Sequence, residues 1–363
     1  MKKIICTLIV LSTILFSACS VGSSNASKKI KVINNDAPII QPTKSDKPLN
    51  LIESDKSNYE FVTTLTQKDL SKLIPDEFSK YDSICIVALD DGVIYFSTEI
   101  GFGKDRCSKD IFSYSLENNT ITHIADISSL NTILLKVFEV NGNYYFNTIN
   151  SSSDEKLILY DNGNFTTLTD DFFLPVETEN GIAFSQLETH SIVEFEGKKQ
   201  IIITPEIFPS IVLKRKPLTY ISLTNGHIWL CTIENKSLTS ILELPSYAVE
   251  EFPDFFWLSY GDYGNETETV CMYNYNNEEL ISFEDKRCSA FGGNGIDTIF
   301  RLDFDGNIWQ YKYDKENNVI IKAILEGTKD RTFSFGIDNN YIMRCYYNSY
   351  NPGDYAYDIY VEK

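Results

Sequence analysis

The chain has 363 residues and a marked acidic excess, with 51 acidic residues against 32 basic ones and a formal net charge of −19 at pH 7. Because nucleic-acid binding depends on lysine and arginine that neutralise phosphates, this charge argues against a nucleic-acid partner. Only three histidines occur, and there is no Cys-x-x-Cys spacing, phosphate-binding glycine loop or dinucleotide fingerprint. The sequence therefore predicts no metal site and no cofactor.

The first 19 residues have the pattern of an export signal. Lys2 and Lys3 precede an apolar run over residues 4–16, which is too short to span a bilayer but suits a secretory signal peptide. The following "FSAC" resembles the lipobox of bacterial lipoproteins, with Phe16 where that motif usually has leucine. The resemblance implies a signal peptide over residues 1–18 and acylation, palmitate included, at Cys19. An ordinary signal peptide that is cleaved nearby is the alternative.

Residues 19–56 form a polar stretch, rich in Ser, Asn, Lys and Pro, without a sustained hydrophobic period. Such a composition cannot bury enough apolar surface to offset its ordering entropy, so we predict a flexible tether. Eight of the basic and four of the acidic residues lie before residue 57, which leaves 24 basic and 47 acidic residues in 57–363. The tether suits an anionic lipid surface that repels the rest of the chain. We therefore expect a lipid-anchored protein on the extracytoplasmic face of the cell membrane.

Short hairpin signals recur along residues 57–363. Each consists of a turn rich in Asn, Gly, Glu or Lys between two short runs of alternating apolar and polar residues, as in "SYSLENNTITHIAD" at 113–126. Successive turns lie 34 to 44 residues apart, and a period near 40 with about four strands per unit is typical of a β-propeller blade. The turns are centred on Asn119, Gly163, Gly197, Lys236, Asn277 and Asn317.

A second turn precedes several of these hairpins, and a strand with two adjacent aromatic residues follows it. Examples are "DGVIYFST" at 91–98 and "NGNYYFNT" at 141–148. The "IYFST" and "YYFNT" phrases resemble degenerate YWTD-type repeats and related bacterial propeller domains of unknown function. The resemblance implies an all-β propeller, and an all-β sandwich with scattered turns is the alternative.

The repeat also predicts how the ring closes. Six units fall at 82–127, 132–170, 173–206, 210–245, 247–285 and 288–326, and the remaining C-terminal segment holds three strands. The strand "YEFVTTLTQ" at 59–67 then completes the last blade, which removes the exposed edges of an open ring. We predict a seven-bladed, monomeric propeller over residues 57–363, with six or eight blades as alternatives.

No arrangement of residues in the sequence predicts a catalytic site. None of His123, His190 and His227 follows a nucleophile elbow of the Gly-x-Ser-x-Gly type. The segment "LDFDGNIW" at 302–309 is similar to the start of a calcium loop, but its glycine stands at the fourth place and not the sixth. We predict a hairpin turn there.

The candidate ligand contacts lie in "FFWLSYGDYGNETE" at 255–268. Trp257, Tyr260 and Tyr263 stand near Asp262 and two glycines, and aromatic rings beside acid groups suit a sugar or a protein hot spot. The tyrosine-rich stretch at 345–358 has a similar composition. The alternative is that these aromatic residues fill the space between blades.

Six cysteines remain after the proposed signal and anchor, at 85, 107, 231, 271, 288 and 345. An exported chain with six cysteines can form three disulfides in 15 pairings, of which Cys85–Cys107 and Cys271–Cys288 are the nearest in sequence. The alternative is that all six are small buried apolar residues. The sequence leaves both open.

Two main functions agree with this pattern. We predict a non-catalytic binding or assembly module for an envelope protein, a peptide or a glycan, because propellers present loops at both ends of a central channel. The alternative is a glycan-active hydrolase or lyase with acidic residues in the channel mouth, and a third possibility is a sensory ectodomain. Lys, Asn and Ile usage together with the lipobox resembles lipoproteins of low-GC Gram-positive bacteria.

Overall fold

The structure is a computed structural model, and it describes a subset of the residues of the chain. These are residues 39–40, 43–44, 49–101, 103–186, 188–203, 209–213, 218–224, 227–232, 237–243, 257–260, 266–274, 279–293, 297–325, 332–338, 340–347 and 355–363. They belong to a single compact unit, Asn35–Lys363. The predicted signal peptide over 1–18 and the predicted anchor Cys19 lie outside the described residues.

The described chain is almost entirely β-structure. It begins with the strands β1 (Ile39–Ile40), β2 (Thr43–Lys44), β3 (Asn50–Ser54) and β4 (Tyr59–Thr66). The described helical segments are the helix α1 (Gln67–Leu73) and three short 3-10 helices, Asp76–Phe78, Gly103–Asp105 and Ser128–Leu130. Among them, none has the length and apolarity that crossing a membrane requires.

The strands form seven sheets, which we number in chain order. Sheet 1 contains β5 (Ser83–Asp90), β6 (Val93–Ile100), β7 (Cys107–Ser115) and β8 (Thr120–Asp126), and sheet 2 contains β9 (Ile133–Val140), β10 (Asn143–Ile149), β11 (Glu155–Asp161) and β12 (Asn164–Thr169). Sheet 3 contains β13 (Phe173–Glu177), β14 (Ile182–Gln186), β15 (Ser191–Glu196) and β16 (Lys199–Ile203). Sheet 4 contains β17 (Ile211–Leu213), β18 (Thr219–Thr224), β19 (His227–Thr232) and β20 (Ser237–Glu243).

The remaining three sheets follow the same order of neighbouring antiparallel strands. Sheet 5 contains β21 (Trp257–Tyr260), β22 (Thr267–Asn274) and β23 (Glu279–Lys286), and sheet 6 contains β24 (Ser289–Gly293), β25 (Thr298–Leu302), β26 (Ile308–Asp314) and β27 (Val319–Leu325). Sheet 7 contains β28 (Thr332–Asp338), β29 (Tyr341–Tyr347), β30 (Tyr355–Glu362) and, as its fourth strand, β4. Six sheets therefore have four antiparallel strands, and sheet 5 has three within the described residues.

The sheets pack on one another in a closed ring. Separate apolar clusters join sheet 1 to 2, 2 to 3, 4 to 5, 5 to 6, 6 to 7 and 7 back to 1. Sheet 3 contacts sheet 4 through β13, β14 and β17, and the Ser185 hydroxyl donates to the Ser210 carbonyl at 3.0 Å. The strand β5 contacts β9 and β28, β13 contacts β9 and β17, and β24 contacts β28, so these first strands lie side by side around the axis. A ring of radial antiparallel sheets is a β-propeller, so the predicted all-β propeller fold is confirmed and the sandwich alternative is wrong.

The repeated "IYFST" and "YYFNT" motifs lie on the second strands of sheets 1 and 2, β6 and β10. Successive side chains of a strand point to opposite faces, so each residue of a pair reaches a different neighbouring sheet. Tyr95 packs toward sheet 2 and Phe96 toward sheet 7, and both are buried. Likewise, Tyr145 packs toward sheet 3 and Phe146 toward sheet 1. The motif therefore fills both sides of a blade.

Sheet 7 is built from both ends of the described chain, as predicted. Strand β4 pairs antiparallel with β30 from Tyr59 opposite Glu362 to Thr66 opposite Ala356. Leu65 of β4 is buried in the cluster between sheets 7 and 1. Helix α1 follows directly, and its N-cap Thr66 and Asp69 form a reciprocal capping box, which explains why the strand ends there.

The predicted tether over residues 19–56 needs a correction in its second half, because strands from residue 39 onward belong to the folded unit. Strand β1 adds in parallel to β20 of sheet 4, β2 to β23 of sheet 5 and β3 to β27 of sheet 6. Leu49 also forms a bridge with Phe283 and is buried. These strands, together with β4, place one chain segment along the outer edges of four successive sheets. Backbone pairing to those edges stabilises a polar segment that has no hydrophobic period of its own.

All six described cysteines are free, so neither sequence-near disulfide, Cys85–Cys107 or Cys271–Cys288, is formed. Five of the cysteines are buried, and Cys85 is partly buried. They lie on strands or beside them, where they pack as small apolar residues. Of the two alternatives, the structure agrees with the second.

Candidate functional site

The candidate ligand contacts lie at the link from β21 to β22. Trp257 and Tyr260 belong to β21, where their backbones pair with Met272 and Thr269 of β22. Asp262 and Tyr263, which complete the predicted site, lie outside the described residues. The backbone of β21 therefore places two of the four candidates on a strand of sheet 5.

An exposed aromatic residue of sheet 6 lies at the same end of the ring, which we call the loop end. Glu268 at the start of β22 contacts Arg301 at the end of β25, so the β21–β22 link and the β25–β26 turn emerge at the same end. Phe304 lies in that turn and has 80% of its surface exposed, the largest value among the exposed large apolar residues described. The sequence analysis missed Phe304, because a turn phenylalanine has no periodic signature.

Asp303 holds the turn that presents Phe304. Its carboxylate accepts the backbone N–H of Asp305 at 2.9 Å and of Asn307 at 2.8 Å, and also the side chains of Asn307 and Trp309. Gly306 has a φ of 88°, a conformation that glycine adopts without a Cβ clash. These hydrogen bonds lower the pKa of Asp303 against the effect of its partial burial. The predicted hairpin turn is confirmed, with the Asp303 oxygens engaged by N–H donors.

A buried ion network joins sheets 5 and 6 behind this turn. Arg301 contacts Glu268, and the Lys322 ammonium lies 3.0 Å from both carboxylate oxygens of Asp285. The hydroxyl of Tyr311 donates to Asp285, and burial raises the pKa of Tyr311. All five side chains are buried. Because each acid has a cationic partner and no opening to solvent, the network suits a structural role between the two sheets.

A second buried pair belongs to sheet 7. Arg344 of β29 donates to Asp358 of β30 at 3.1 Å, and the Thr64 hydroxyl of β4 donates to the other Asp358 oxygen at 2.6 Å. One carboxylate therefore joins three strands, including the closing one. This pairing also keeps Asp358 from acting as a free acid.

Two of the three histidines, His123 and His227, have ordinary surroundings. The ring of His123 is bonded to Asp110 at 3.0 Å and stacks on Phe78 with ring centroids 4.3 Å apart. His227 lies 3.4 Å from the hydroxyl of Ser240, and no described acid orients its ring. Through the described ranges, no three His, Cys, Asp or Glu side chains come together as metal ligands would.

A cavity lies at the outer edge of sheet 6. It is an open hollow of about 480 Å³ between strands β3 and β27 and the turn before β27. Its apolar residues are Ile52, Val319 and Ile321. Its polar lining consists of Glu53, Ser54, Asp55, Asp314 and Asn317. The hollow is thus lined by both apolar and acidic residues.

No protein-family model and no curated protein matches this sequence. Solved structures resemble it at low identity. A chain of the mitotic checkpoint complex is 8% identical, with 77% of this chain and 90% of that chain covered and a TM-score of 0.43. The propeller domain of Myceliophteria thermophila Cps50 (Swd1) is 9% identical, with coverage of 74% and 93% and a TM-score of 0.40.

Prp20p from Saccharomyces cerevisiae is a further similar structure. It is 8% identical, 89% of this chain and 93% of that chain are covered, and the TM-score is 0.41. Likenesses at this level concern the fold alone. The propeller assignment therefore depends on the sheets and their packing in this chain.

Proposed function

We propose that this protein is a lipid-anchored extracytoplasmic propeller that binds an envelope protein, a peptide or a glycan without catalysis. The observation that carries the proposal is the closed ring, in which the buried acids Glu268, Asp285 and Asp358 are engaged in ion pairs within and between sheets. Rigid scaffolds with loops at their ends suit binding, because partners dock on loops that the scaffold positions.

The blade count and the anchor belong to the same proposal. We take the three-stranded sheet 5 as a blade like the other six, so that the ring has seven blades. The aromatic pairs on the second strands of these blades resemble YWTD-type repeats. Acyl chains on Cys19 then anchor the protein, since each buried methylene contributes about 0.8 kcal/mol to membrane binding. The lipobox-like sequence before Cys19 supports this attachment.

The ligand contacts in this proposal lie at the loop end of sheets 5 and 6. They are Trp257, Tyr260, Asp262 and Tyr263, joined by the exposed Phe304 in the neighbouring turn. Support comes from the exposure of Phe304 and from the strand directions, which bring both links to one end of the ring. Aromatic side chains supply much contact area at a small entropic cost.

The anchor and the binding role are tested on the full chain in its own envelope. We expect metabolic labelling with an alkyne fatty acid to mark the wild type in the membrane fraction, and Cys19→Ala to abolish labelling and release the protein. After cross-linking, we expect the anchored form to enrich a defined envelope protein or glycan, and Phe304→Ala to weaken that capture by about tenfold, the effect of removing one hot-spot residue.

The control for this capture is Leu174→Ala, which removes another exposed apolar residue, on sheet 3. Equal capture by Phe304→Ala and the wild type would disprove the loop-end site. Turnover of a cell-wall glycan that depends on a single carboxylate would instead establish the enzyme alternative.

A further inference from the structure

We propose that the hollow beside β3 binds an extended basic segment of a partner protein, which adds to β3 as a further strand of sheet 6. The hollow is formed by Ile52, Val319 and Ile321, with the acidic residues Glu53, Asp55 and Asp314 also in its lining. This inference rests on the binding role proposed above and names a class of partner and a second surface for it.

The edge of β3 is available for pairing. Strand β3 lies last in sheet 6, with one edge bonded in parallel to β27 and no described strand on the other edge. An edge strand has free N–H and C=O groups that can pair with an added chain. The same chain shows this mode of addition three times, because β1, β2 and β3 each add in parallel to an outer strand.

The side chains of β3 specify the sequence pattern of the added strand. Ile52 is 49% exposed and lies beside Ile321 on one face of the sheet. Glu53 is the next residue of the strand, and Asp55 follows directly after the end of β3. Because side chains alternate across a strand, an added segment of alternating apolar and basic residues matches both faces. Apolar residues then cover Ile52, and lysine or arginine lies opposite the acids.

Charge supports a basic partner. No basic residue lines the hollow, and no lysine or arginine of the described ranges forms an ion pair with Glu53, Asp55 or Asp314. Hydrogen bonds from Asn317 lower the pKa of Asp314, so that carboxylate stays ionised at neutral pH. The acidic lining therefore attracts a cationic segment, and it repels the acidic surface of a second copy.

The test uses the full chain in detergent micelles and a blocked seven-residue peptide of alternating lysine and valine with a fluorescent label. We expect saturable binding by fluorescence anisotropy that weakens as salt increases. Replacing the lysines of the peptide with glutamates, or its central valine with proline, is expected to abolish binding, because proline cannot donate a backbone hydrogen bond.

Variants of the protein locate the binding. Ile52→Lys is expected to weaken binding at least tenfold, and the milder Glu53→Gln to weaken it threefold or more and to flatten the salt dependence. The matched control is Ile202→Lys, since Ile202 is 60% exposed on β16, the outer strand of sheet 3. Circular dichroism and the unfolding midpoint establish that each variant is folded.

Three results would overturn the inference. They are equal loss of binding in Ile52→Lys and Ile202→Lys, equal binding of the glutamate peptide, and self-association of the wild-type chain that Ile52→Lys abolishes. The last result would make a second copy the occupant. Absence of peptide binding in the wild type, together with capture of an envelope partner that Phe304→Ala weakens, would overturn this inference and leave the proposed function intact, so the two failures are distinguishable.

Discussion

The cysteines show how the surroundings of a residue decide its chemistry. Burial raises the pKa of Cys85, Cys231 and Cys288 to about 12 in each case, well above the ordinary value for a thiol. Since the thiolate is the reactive form, these residues are inert in the folded protein at neutral pH. An even number of cysteines in an exported chain suggested disulfides, yet strand positions and burial give them a packing role.

We predict that all six described cysteines are alkylated without a reductant after unfolding. In the native protein at pH 8, Cys231 and Cys288 should react with iodoacetamide at least about tenfold more slowly than in the unfolded chain, because the raised pKa leaves little thiolate. Peptide mapping by mass spectrometry measures both states. A peptide that carries a disulfide between any two of these residues would contradict the prediction.

At the scale of elements, the buried network between sheets 5 and 6 joins strands that are far apart in the chain. Glu268 of β22 meets Arg301 of β25, and Asp285 of β23 meets Lys322 of β27. A buried ion pair contributes little net stability relative to apolar residues of the same shape, but removing one partner leaves a charge buried without compensation. The network therefore favours one specific alignment of the two sheets.

We predict that Arg301→Met lowers the free energy of unfolding by about 3–5 kcal/mol, because Glu268 loses its cationic partner in the interior. The double variant Arg301→Met with Glu268→Met should lose less than the single one, since the Glu268 carboxylate is then no longer buried without Arg301. Urea denaturation followed by tryptophan fluorescence gives these values. Additive losses in the double variant would contradict the coupling.

At the scale of the whole molecule, strand β4 closes the ring. It pairs with β30 along its length and buries Tyr59 and Leu65 in the clusters on either side of sheet 7. Gly92, with a φ of 74°, lies against the ring of Tyr341, where an added Cβ would come within 2.9 Å. Sheets 1 and 7 therefore meet closely at both the outer strand and the turn.

We predict that a chain beginning at residue 67 loses roughly 3–6 kcal/mol of stability, from the lost burial of Tyr59 and Leu65 alone. It should also aggregate, because the edge of β30 becomes exposed. A synthetic peptide of residues 57–66, which supplies β4 alone, should raise the unfolding midpoint and restore the monomeric state. Thermal unfolding and light scattering measure these outcomes, and equal stability of the shortened chain would rule out closure by β4.

The sequence alone determined the fold class and the closing strand, because both depend on local patterns. Two kinds of signal recur with a period near 40 residues, which is typical of propeller blades. They are turn residues such as Asn119 and Gly163 and aromatic pairs such as those at Tyr95 and Tyr145. The strand at 59–67 was identified because the last repeat lacked one strand. These signals lie in short segments, and the residues of each segment determine its preference for a strand or a turn.

The features that depend on long-range contacts are visible only in the tertiary structure. Residues 39–54 have no periodic pattern in the sequence. Three pieces of this range, 39–40, 43–44 and 50–54, become strands because the outer edges of sheets 4, 5 and 6 offer hydrogen-bond partners. The partners of Arg301, the exposure of Phe304 and the hollow at Ile52 likewise depend on residues tens to hundreds of positions away. A sequence pattern indicates the secondary structure that a residue prefers. The surroundings of that residue depend on which distant strands the closed ring brings beside it.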